Sequence, residues 1–431
     1  MYHFIGIKGS GMSGLAVIMK KLEYDVQGSD YDKHYFTEKN LIKNNIKTLP
    51  FNKENIKENM IIVKGNTFDE ENEEVKEAIK KDLKIYTYEE MVSIITNKYE
   101  LIAVSGCHGK TTTSSMLAHV LKSNYLIGDG SGKINKSNYF VLEACEYKKH
   151  FLKYNPKTII ITNIDLDHVD YYNSIEEVVK AYQEFSNIPK TLIVCGDNKY
   201  TKKIKHKMKY TYGIKNNYFQ AKNIEYNESG IIFDLYVNKE YKYKFNLPFY
   251  GKHMLLNALG VISTCYLKNI RLEEIEKRLK TFKGAKRRFK EKRILDNIVI
   301  DDYAHHPNEV KALIDATKQK YKNKKIIGIF EPHTFSRTEK FYKEIAKELN
   351  KINYSYIMDI YKSREKQEDY IGITSNLIIK NLKNGEHLKK EEINKLLKYH
   401  NSVLLFMSPN DLTNLENKYI SKYKKEFNPP K

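Results

Sequence analysis

The chain has 431 residues, of which 41% are hydrophobic, enough apolar sequence for two to four domains that each bury a core. Its formal net charge is +20, but the lysines are scattered and no nucleic-acid-binding motif accompanies them. We therefore interpret the charge as a composition-wide lysine bias and expect no nucleic-acid partner. A positive field would also favour small anionic substrates.

The sequence also bears on the compartment. No apolar run approaches the roughly 18 residues of a membrane span, and the start, MYHFIGIKG, lacks the basic region of a signal peptide. The cysteines lie far apart, at Cys107, Cys145, Cys195 and Cys265. Such spacing is typical of reduced thiols, not of a disulfide framework or a zinc site. We expect a cytoplasmic protein without membrane insertion.

Residues 1–98 are predicted to form βα units. YHFIGI should form a strand, SGLAVIMKKL a helix, and YDVQGSD, MIIV and KIYTY further strands. A G-x-G-x-x-G sequence, Gly9 to Gly14, separates the first strand from the helix, and Asp30 closes the next strand. This pattern is typical of dinucleotide binding; the alternative is a tight turn without a ligand. By itself the motif does not distinguish NAD from another nucleoside diphosphate.

Residues 99–285 are predicted to form a second α/β unit. The apolar runs LIAVSG, YFVLEA, TIIITN and LIVCGD indicate buried parallel strands. Three of these strands end at Glu143, Asn163 and Asp197, where α/β proteins bind ligands. GIIFDLYVNKEYKYKFNL alternates and should be antiparallel, whereas HMLLNALGVISTCYL and LEEIEKRLKTF should be helices.

A phosphate-binding loop is predicted at residues 106–112, GCHGKTT, between a strand and a helix. Backbone N–H groups at the helix start and the charge of Lys110 favour a phosphate. The loop is shorter than G-x-x-x-x-G-K-[ST], because Val104 lies where the first glycine would be. Thr111 lies where a magnesium-binding hydroxyl would be. Cys107 either fills space or has its pKa lowered by the helix start and Lys110.

Candidate metal ligands lie just beyond the strands of this unit. They are Glu143 and His168, with further carboxylates in DLDHVDYY at Asp165, Asp167 and Asp170. Because a hard cation prefers carboxylates and water, His168 could equally be a structural residue.

Residues 286–431 are predicted to form a third α/β unit, with strands in NIVIDDYAHHP, KIIGIFEPH, YSYIMDI and SVLLFMS. DDYAHHPNEV and EPHTFSRT place acids, histidines and Arg337 at strand ends, where ligands bind. The alternative is a pair of helix caps with solvated neighbours. Arg287 and Arg288, beside the boundary, are either surface charge or an anion clamp. We thus expect three α/β domains.

In this order and spacing, the motifs resemble the Mur ligase family along nearly the whole chain, and within it the alanine-adding members of Gram-positive type. The resemblance depends on HFIGIKGSGMSGLA, VQGSD, GNTFDEENEEV, SGCHGKTTT, YLIGDG, EACEYKKHFL, TNIDLDHVDYY, KRRF, IDDYAHHP and EPHTFSRT.

The resemblance implies a Rossmann-like UDP-sugar domain, a central P-loop-type ATPase domain with a mostly parallel sheet, and a C-terminal Rossmann-like domain. It implies ATP-dependent joining of L-alanine to the carboxylate of UDP-N-acetylmuramate through an acyl phosphate, in peptidoglycan precursor synthesis. ATP and Mg²⁺ are the implied cofactors, and the chain would be a monomer or homodimer.

The resemblance also implies site residues. Lys110 and Mg²⁺ would steady the γ-phosphate, with Thr111, Glu143 and His168 as metal ligands; Lys110, Glu143, His168 and Arg288 would be catalytic. The implied nucleotide contacts are Gly106, Cys107, His108, Gly109, Lys110, Thr111, Thr112, His253, Asn257, Arg288 and Asp302. The implied substrate contacts are Gly9, Ser10, Gly11, Met12, Ser13, Ser29, Asp30, His305, His333 and Arg337.

Three alternatives remain open on the sequence. A sister ligase attaches a recycled tripeptide to the same sugar. A dinucleotide-dependent oxidoreductase would explain the loop at Gly9 but not Lys110 or the third domain. A non-catalytic nucleotide-binding regulator would not need Lys110, Thr111, Glu143 and His168 together.

Overall fold

The structure is a computed structural model that describes residues 1–33, 35–169, 171–363 and 365–427. Its strands form three sheets, of five, ten and six strands. Cα proximity divides the chain into two compact units. Unit 1 holds residues 1–222, 234–244 and 256–285, and unit 2 holds residues 223–233, 245–255 and 286–431.

The first sheet has five parallel strands in the order β3-β2-β1-β4-β5. Its strands are β1 (Tyr2–Ile5), β2 (Val26–Ser29), β3 (Lys47–Leu49), β4 (Ile61–Lys64) and β5 (Lys84–Thr87). The helices between and after them are α1 (Ser10–Lys21), α2 (Glu38–Lys43), α3 (Glu73–Lys80) and α4 (Tyr88–Thr96). Helix α4 begins with a capping box in which Thr87 and Glu90 each bond the other's backbone N–H.

The second sheet has the strand order β15-β14-β13-β12-β11-β10-β6-β9-β7-β8. Its strands are β6 (Glu100–Ser105), β7 (Asn124–Ile127), β8 (Ser131–Lys133), β9 (Tyr139–Glu143), β10 (Thr158–Ile161), β11 (Thr191–Cys195), β12 (Lys209–Gly213), β13 (Phe219–Asn227), β14 (Gly230–Val237) and β15 (Glu240–Leu247). The helices are α5 (Lys110–Leu121), α6 (Ile175–Ser186), α7 (Lys252–Leu267) and α8 (Leu272–Lys280). Strands β6, β9, β10, β11 and β12 pair in parallel, while β8 runs antiparallel to β7.

The third sheet has the order β16-β17-β21-β18-β19-β20, and every neighbouring pair is parallel except β16 with β17. Its strands are β16 (Lys290–Ile294), β17 (Asn297–Asp302), β18 (Lys325–Phe330), β19 (Tyr354–Ile357), β20 (Gly385–His387) and β21 (Ser402–Met407). Its helices are α9 (Pro307–Lys320), α10 (Phe335–Leu349), α11 (Asn376–Ile379) and α12 (Thr413–Phe427).

The apolar runs in the sequence form the buried interior of these sheets. Strand β10 is buried at every residue, as is β21, which fits strands covered on both faces. In unit 1 one continuous apolar cluster joins Phe4 and Leu15 to Leu101 and Ile159, so the first two sheets share a core. Three α/β domains with mostly parallel sheets are therefore confirmed, whereas the boundaries at 98/99 and 285/286 stay predictions. No helix within the described ranges is both long and apolar enough to cross a membrane.

A buried polar network ties β1, β2 and α3 together around Glu74. The Glu74 carboxylate lies 3.2 Å from His3 Nε2, accepts the Ser29 hydroxyl, and accepts Asn55 Nδ2 at 2.7 Å and the Asn52 N–H at 3.1 Å. Burial alone raises the pKa of Glu74, but the hydrogen bonds from His3, Ser29 and Asn55 outweigh it and lower the pKa below 4.5. The ionised carboxylate is thus the form that the fold stabilises.

We predict that Glu74→Gln lowers the free energy of unfolding at pH 7 by about 1–3 kcal/mol, because it removes a charged acceptor from a buried network. A carboxyl group whose pKa is lower in the folded state than in the unfolded state stabilises the fold at pH values above its unfolded-state pKa. This stabilisation is lost as the pH falls through the folded-state pKa. The difference from wild type should therefore narrow below pH ~4.5.

Urea unfolding at several pH values measures this difference. Glu73→Gln is the matched control, since Glu73 is exposed one residue earlier on α3 and should change stability by no more than about 0.5 kcal/mol. A difference for Glu74→Gln that stays constant down to low pH would contradict the assignment.

Candidate active site

The loop between β6 and α5 depends on two glycines with positive φ. Gly106 has φ +135° and Gly109 has φ +82°, conformations that side chains disfavour. A Cβ at Gly106 would lie 2.0 Å from Thr162 Oγ1, and one at Gly109 would lie 2.7 Å from Asn257 Oδ1. The loop therefore needs glycine at both positions, and it packs directly against Asn257.

The end of β10 holds this loop in place. Asn163 Oδ1 accepts the His108 N–H at 2.9 Å, while Asn163 Nδ2 and Thr162 Oγ1 donate to the His108 carbonyl at 2.7 and 2.6 Å. Asp197, at the end of β11, similarly accepts the Ile214 N–H at 2.8 Å. These two strand-end polar residues, Asn163 and Asp197, thus brace loops with their side chains.

Lys110, the first residue of α5, folds back over the loop. Its Nζ donates to the two carboxylate oxygens of Glu146 at 3.0 and 3.2 Å and to the Gly106 carbonyl at 2.5 Å. Burial alone lowers the pKa of Lys110, but the Glu146 carboxylate outweighs it, so the pKa rises above its ordinary value and the amine stays charged. Glu146 is only 1% exposed and was not among the predicted site residues.

Thr111 and Glu143 form a second pair of polar groups beside the loop. Thr111 Oγ1 donates to Glu143 Oε1 at 3.0 Å, and Glu143 Oε2 accepts the Gly128 N–H at 2.8 Å. Burial raises the pKa of Glu143, and Lys110 is the strongest of the groups that oppose this rise. A hydroxyl beside a carboxylate is a donor set that suits a hard divalent cation.

His168 lies on the turn after β10, in a left-handed backbone conformation with φ +51°. Its Nε2 is 4.0 Å from Glu146 Oε1, and its ring centroid is 4.8 Å from that of Tyr147. Asp167 accepts the His168 N–H at 2.8 Å, and Asp165 accepts the Leu166 N–H at 2.9 Å. The structure therefore brings His168 to Glu146, and it uses the two aspartates to shape the turn. Asp170 lies outside the described residues.

Cys107 is a space-filling residue. Its side chain is 6% exposed, and its Sγ accepts the Asp165 N–H at 3.1 Å. Burial raises the pKa of Cys107 well above its ordinary value, so the alternative of a lowered pKa is wrong. The positive charge of Lys110 lowers the pKa of Cys107 by less than burial raises it.

The side chain of Asp30 braces the glycine loop before α1. Asp30 accepts the N–H groups of Lys8 and Tyr31 at 2.7 and 2.8 Å, and burial raises the pKa of Asp30. Met12 and Ser13 are buried in α1, so their side chains are not available to a ligand. Asp30 thus holds the loop with its side chain, whereas Ser29 accepts the Gly6 and Ile7 N–H groups with its backbone carbonyl and turns its hydroxyl to Glu74. Gly9, Ser10 and Gly11 lie at the start of the helix.

In unit 2, the predicted substrate residues lie together at the carboxyl ends of β17 and β18. Arg337 Nη1 donates to His333 Nδ1 at 2.6 Å, and the His333 and His305 rings are 5.3 Å apart. His305 Nδ1 is 3.2 Å from Glu309, and Arg288 Nη1 is 4.0 Å from the same carboxylate. These five side chains form one charged cluster.

The two neighbouring arginines differ in their surroundings. Arg287 donates to the carbonyls of Ser408 and Pro409 at 2.7 and 2.9 Å, so it braces the turn after β21. Arg288 lies over the Tyr303 ring at 4.8 Å. Arg287 is therefore neither a surface charge nor an anion clamp, the two alternatives for this pair; its role is structural.

The last predicted residues, Asp302 and His253, also lie in unit 2. Asp302 accepts the N–H groups of Phe289 and Ala304 at 2.7 and 2.8 Å, and burial raises the pKa of Asp302 although Arg288 opposes it. Burial lowers the pKa of His253 to about 4, so its ring is neutral at pH 7. A neutral imidazole suits a contact with an uncharged ring.

Comparison with known families matches all three parts of the chain. The matching models are the Mur ligase family, catalytic domain, over residues 1–100; the Mur ligase middle domain over 131–265; and the Mur ligase, glutamate ligase domain, over 287–408. The chain belongs to the Mur ligase family. It is thus a nucleotide-binding ligase of peptidoglycan precursor synthesis.

Solved structures with this architecture include several kinds of Mur ligase. The UDP-N-acetylmuramate-alanine ligase MurC from Thermotoga maritima is 25% identical over 99% of both chains, with a TM-score of 0.84. The murein peptide ligase Mpl from Psychrobacter arcticus is 20% identical over 98% of both chains, with a TM-score of 0.71. MurF from Thermotoga maritima, solved in complex with ADP, is 14% identical over 87% of this chain and 97% of its own, with a TM-score of 0.65.

The thiols provide a test of the loop geometry. Cys145 is exposed, whereas Cys107, Cys195 and Cys265 are buried. Desolvation raises the pKa of Cys145 to about 12, and it raises the pKa of Cys107 as well, so solvent access is what distinguishes the two thiols. We predict that iodoacetamide modifies Cys145 at least about tenfold faster than Cys107 in the folded protein.

Peptide mapping after timed alkylation measures the two rates, and urea-unfolded protein, in which all four thiols react, is the control. Modification of Cys107 as fast as that of Cys145 would contradict the buried position of Cys107.

Proposed function

We propose that the chain is an ATP-dependent ligase that joins L-alanine to the carboxylate of UDP-N-acetylmuramate. Similarity to the T. maritima MurC along 99% of both chains supports this choice of substrates. The observation that carries the proposed chemistry is the pair of contacts at the start of α5, Lys110 with Glu146 and Thr111 with Glu143. These contacts hold a cation and two hard oxygen donors at the start of α5, and a helix N-terminus favours a phosphate.

The reaction needs activation of a poor acyl donor. A carboxylate oxygen attacks the γ-phosphorus of ATP, ADP leaves, and an acyl phosphate forms. The alanine nitrogen then attacks the acyl carbon, the carbon–oxygen bond to phosphate breaks, and the nitrogen loses its proton. Such a path needs positioning and positive charge more than a protein nucleophile.

Lys110 supplies that positive charge. Its pairing with Glu146 keeps the amine protonated and fixes it above the loop, so little reorganisation is needed when a phosphate arrives. The N–H groups of residues 109–112 lie at the start of α5, where an anion is favoured.

Magnesium fits the donors beside the loop. Thr111 and Glu143, whose oxygens are 3.0 Å apart, would hold it, with His168 as the further ligand that the resemblance implies. When bound, the cation would neutralise charge on the phosphates. The chain's own part is to hold Glu143 in place through the Gly128 N–H.

The loop at Gly9 is proposed to hold the UDP diphosphate. It precedes the 12-residue helix α1, and Asp30 fixes its backbone through Lys8. The roles of His305, His333 and Arg337 towards the substrate stay predictions. So do those of His253, Asn257, Arg288 and Asp302 towards the nucleotide, and the choice between monomer and homodimer.

Membership of a ligase family removes the reason for the oxidoreductase alternative. The tripeptide-adding alternative keeps the same sugar and the same chemistry, so only the amino substrate separates it from the proposal.

Release of ADP should require both UDP-N-acetylmuramate and L-alanine. The assay omits each in turn and then replaces L-alanine with glycine, L-serine or the tripeptide L-alanyl-γ-D-glutamyl-meso-diaminopimelate. We expect the highest kcat/KM with L-alanine. A higher kcat/KM with the tripeptide would replace the proposal with the recycling reaction.

Lys110→Ala should lower kcat at least about 100-fold, because it removes a fixed charge from the transferring phosphoryl group. Lys180→Ala is the control, since Lys180 is an exposed lysine on α6. Circular dichroism verifies that both variants fold. A folded Lys110→Ala protein with near-normal turnover would refute the assignment of residues 106–112 as the phosphate loop.

A further inference from the structure

Three different ligand types converge beside the phosphate loop. The ligand atoms are the thiol sulfur of Cys145, a carboxylate oxygen of Glu146 and a ring nitrogen of His168. All three atoms lie within 4.8 Å of one another. Cys145 is exposed and the His168 side chain is 24% exposed, so solvent reaches the cluster. Glu146, whose side chain is 1% exposed, is the buried member of the cluster.

Hydrogen bonds fix the backbone that carries these side chains. The Ala144 N–H donates to the Val104 carbonyl at 2.9 Å, and the Tyr172 hydroxyl donates to the Glu146 carbonyl at 2.7 Å. On the opposite side, Asp167 accepts the His168 N–H at 2.8 Å. A cation therefore needs only side-chain adjustment to gather the three ligands.

This donor set favours zinc over magnesium. Zinc binds cysteine sulfur at about 2.3 Å and histidine nitrogen at about 2.0–2.1 Å in tetrahedral geometry, which puts ligand atoms roughly 3–4 Å apart. The Glu146–His168 separation of 4.0 Å is already close to this value. Magnesium prefers oxygen ligands and has little affinity for sulfur.

We propose that Cys145, Glu146 and His168 form a second cation site, for zinc or another thiophilic divalent cation, which shares His168 with the proposed magnesium site, and that its occupation inhibits the ligase. Cysteine binds as the thiolate and releases its proton to solvent, and a water takes the fourth position. The bound cation would break the ion pair between Glu146 and Lys110, and it would make His168 unavailable to magnesium. The inhibition rests on the proposed function, whereas the metal binding does not.

Cobalt(II) titration of the metal-free full chain tests the binding. Wild type should show thiolate-to-cobalt charge transfer in the near ultraviolet and tetrahedral cobalt bands in the visible, and Zn²⁺ should remove both. Cys145→Ser should lose the charge-transfer band. Cys265→Ala, which changes a buried thiol, should keep it. A band that persists in Cys145→Ser, or that is missing in wild type, overturns the site.

A second measurement needs no variant. Micromolar Zn²⁺ should slow alkylation of Cys145 in wild type, as peptide mapping records, and magnesium at the same concentration should not. Equal alkylation rates with and without Zn²⁺ would also overturn the site, even if Cys145→Ser failed to fold.

The inhibition is tested at fixed Mg-ATP. Zn²⁺ should inhibit wild type and Cys265→Ala equally, and Cys145→Ser, with unchanged basal activity, should need about 10–100-fold more Zn²⁺. Cobalt bands without inhibition by Zn²⁺ would refute the inhibitory role. Cobalt bands in a protein that ligates none of the amino substrates would refute the proposed function and leave the metal site standing.

Discussion

The ion pair between Lys110 and Glu146 is the constraint around which this site is built. Both side chains are largely buried, and removing one partner of such a pair costs about 3–5 kcal/mol, because the other is left uncompensated. The fold satisfies the pair from several elements. Glycines at 106 and 109 let the loop turn beneath the amine, and Tyr172 fixes the backbone of Glu146. The charge is thus positioned before any phosphate binds.

The polar residues around the loop divide into those that shape it and those left for ligands. The side chains of Asn163 and Thr162 form hydrogen bonds with the backbone of His108, and the Cys107 sulfur accepts the Asp165 N–H. Thr111 instead donates to Glu143, and His168 lies 4.0 Å from Glu146. This division explains why a short loop can be rigid without a long glycine-rich sequence.

The sequence predicted the three α/β domains and the glycine loop between β6 and α5, because buried parallel strands are continuous apolar runs and the loop is local. It missed Glu146, whose contact with Lys110 depends on the pairing of β6 with β9 and on the turn that follows. It also could not tell that Ser29 bonds Glu74, since that contact joins distant elements. Burial, which decides the state of Cys107, likewise comes from tertiary packing.

The most direct test of the central claim follows the oxygen atoms of the carboxylate. UDP-N-acetylmuramate labelled with ¹⁸O in both carboxylate oxygens is incubated with the chain, ATP and L-alanine in ordinary water. Transfer of the γ-phosphoryl group to the carboxylate predicts that each inorganic phosphate released during ligation carries one ¹⁸O, which mass spectrometry detects. Ligation that releases phosphate without ¹⁸O would contradict an acyl phosphate and the role assigned to Lys110.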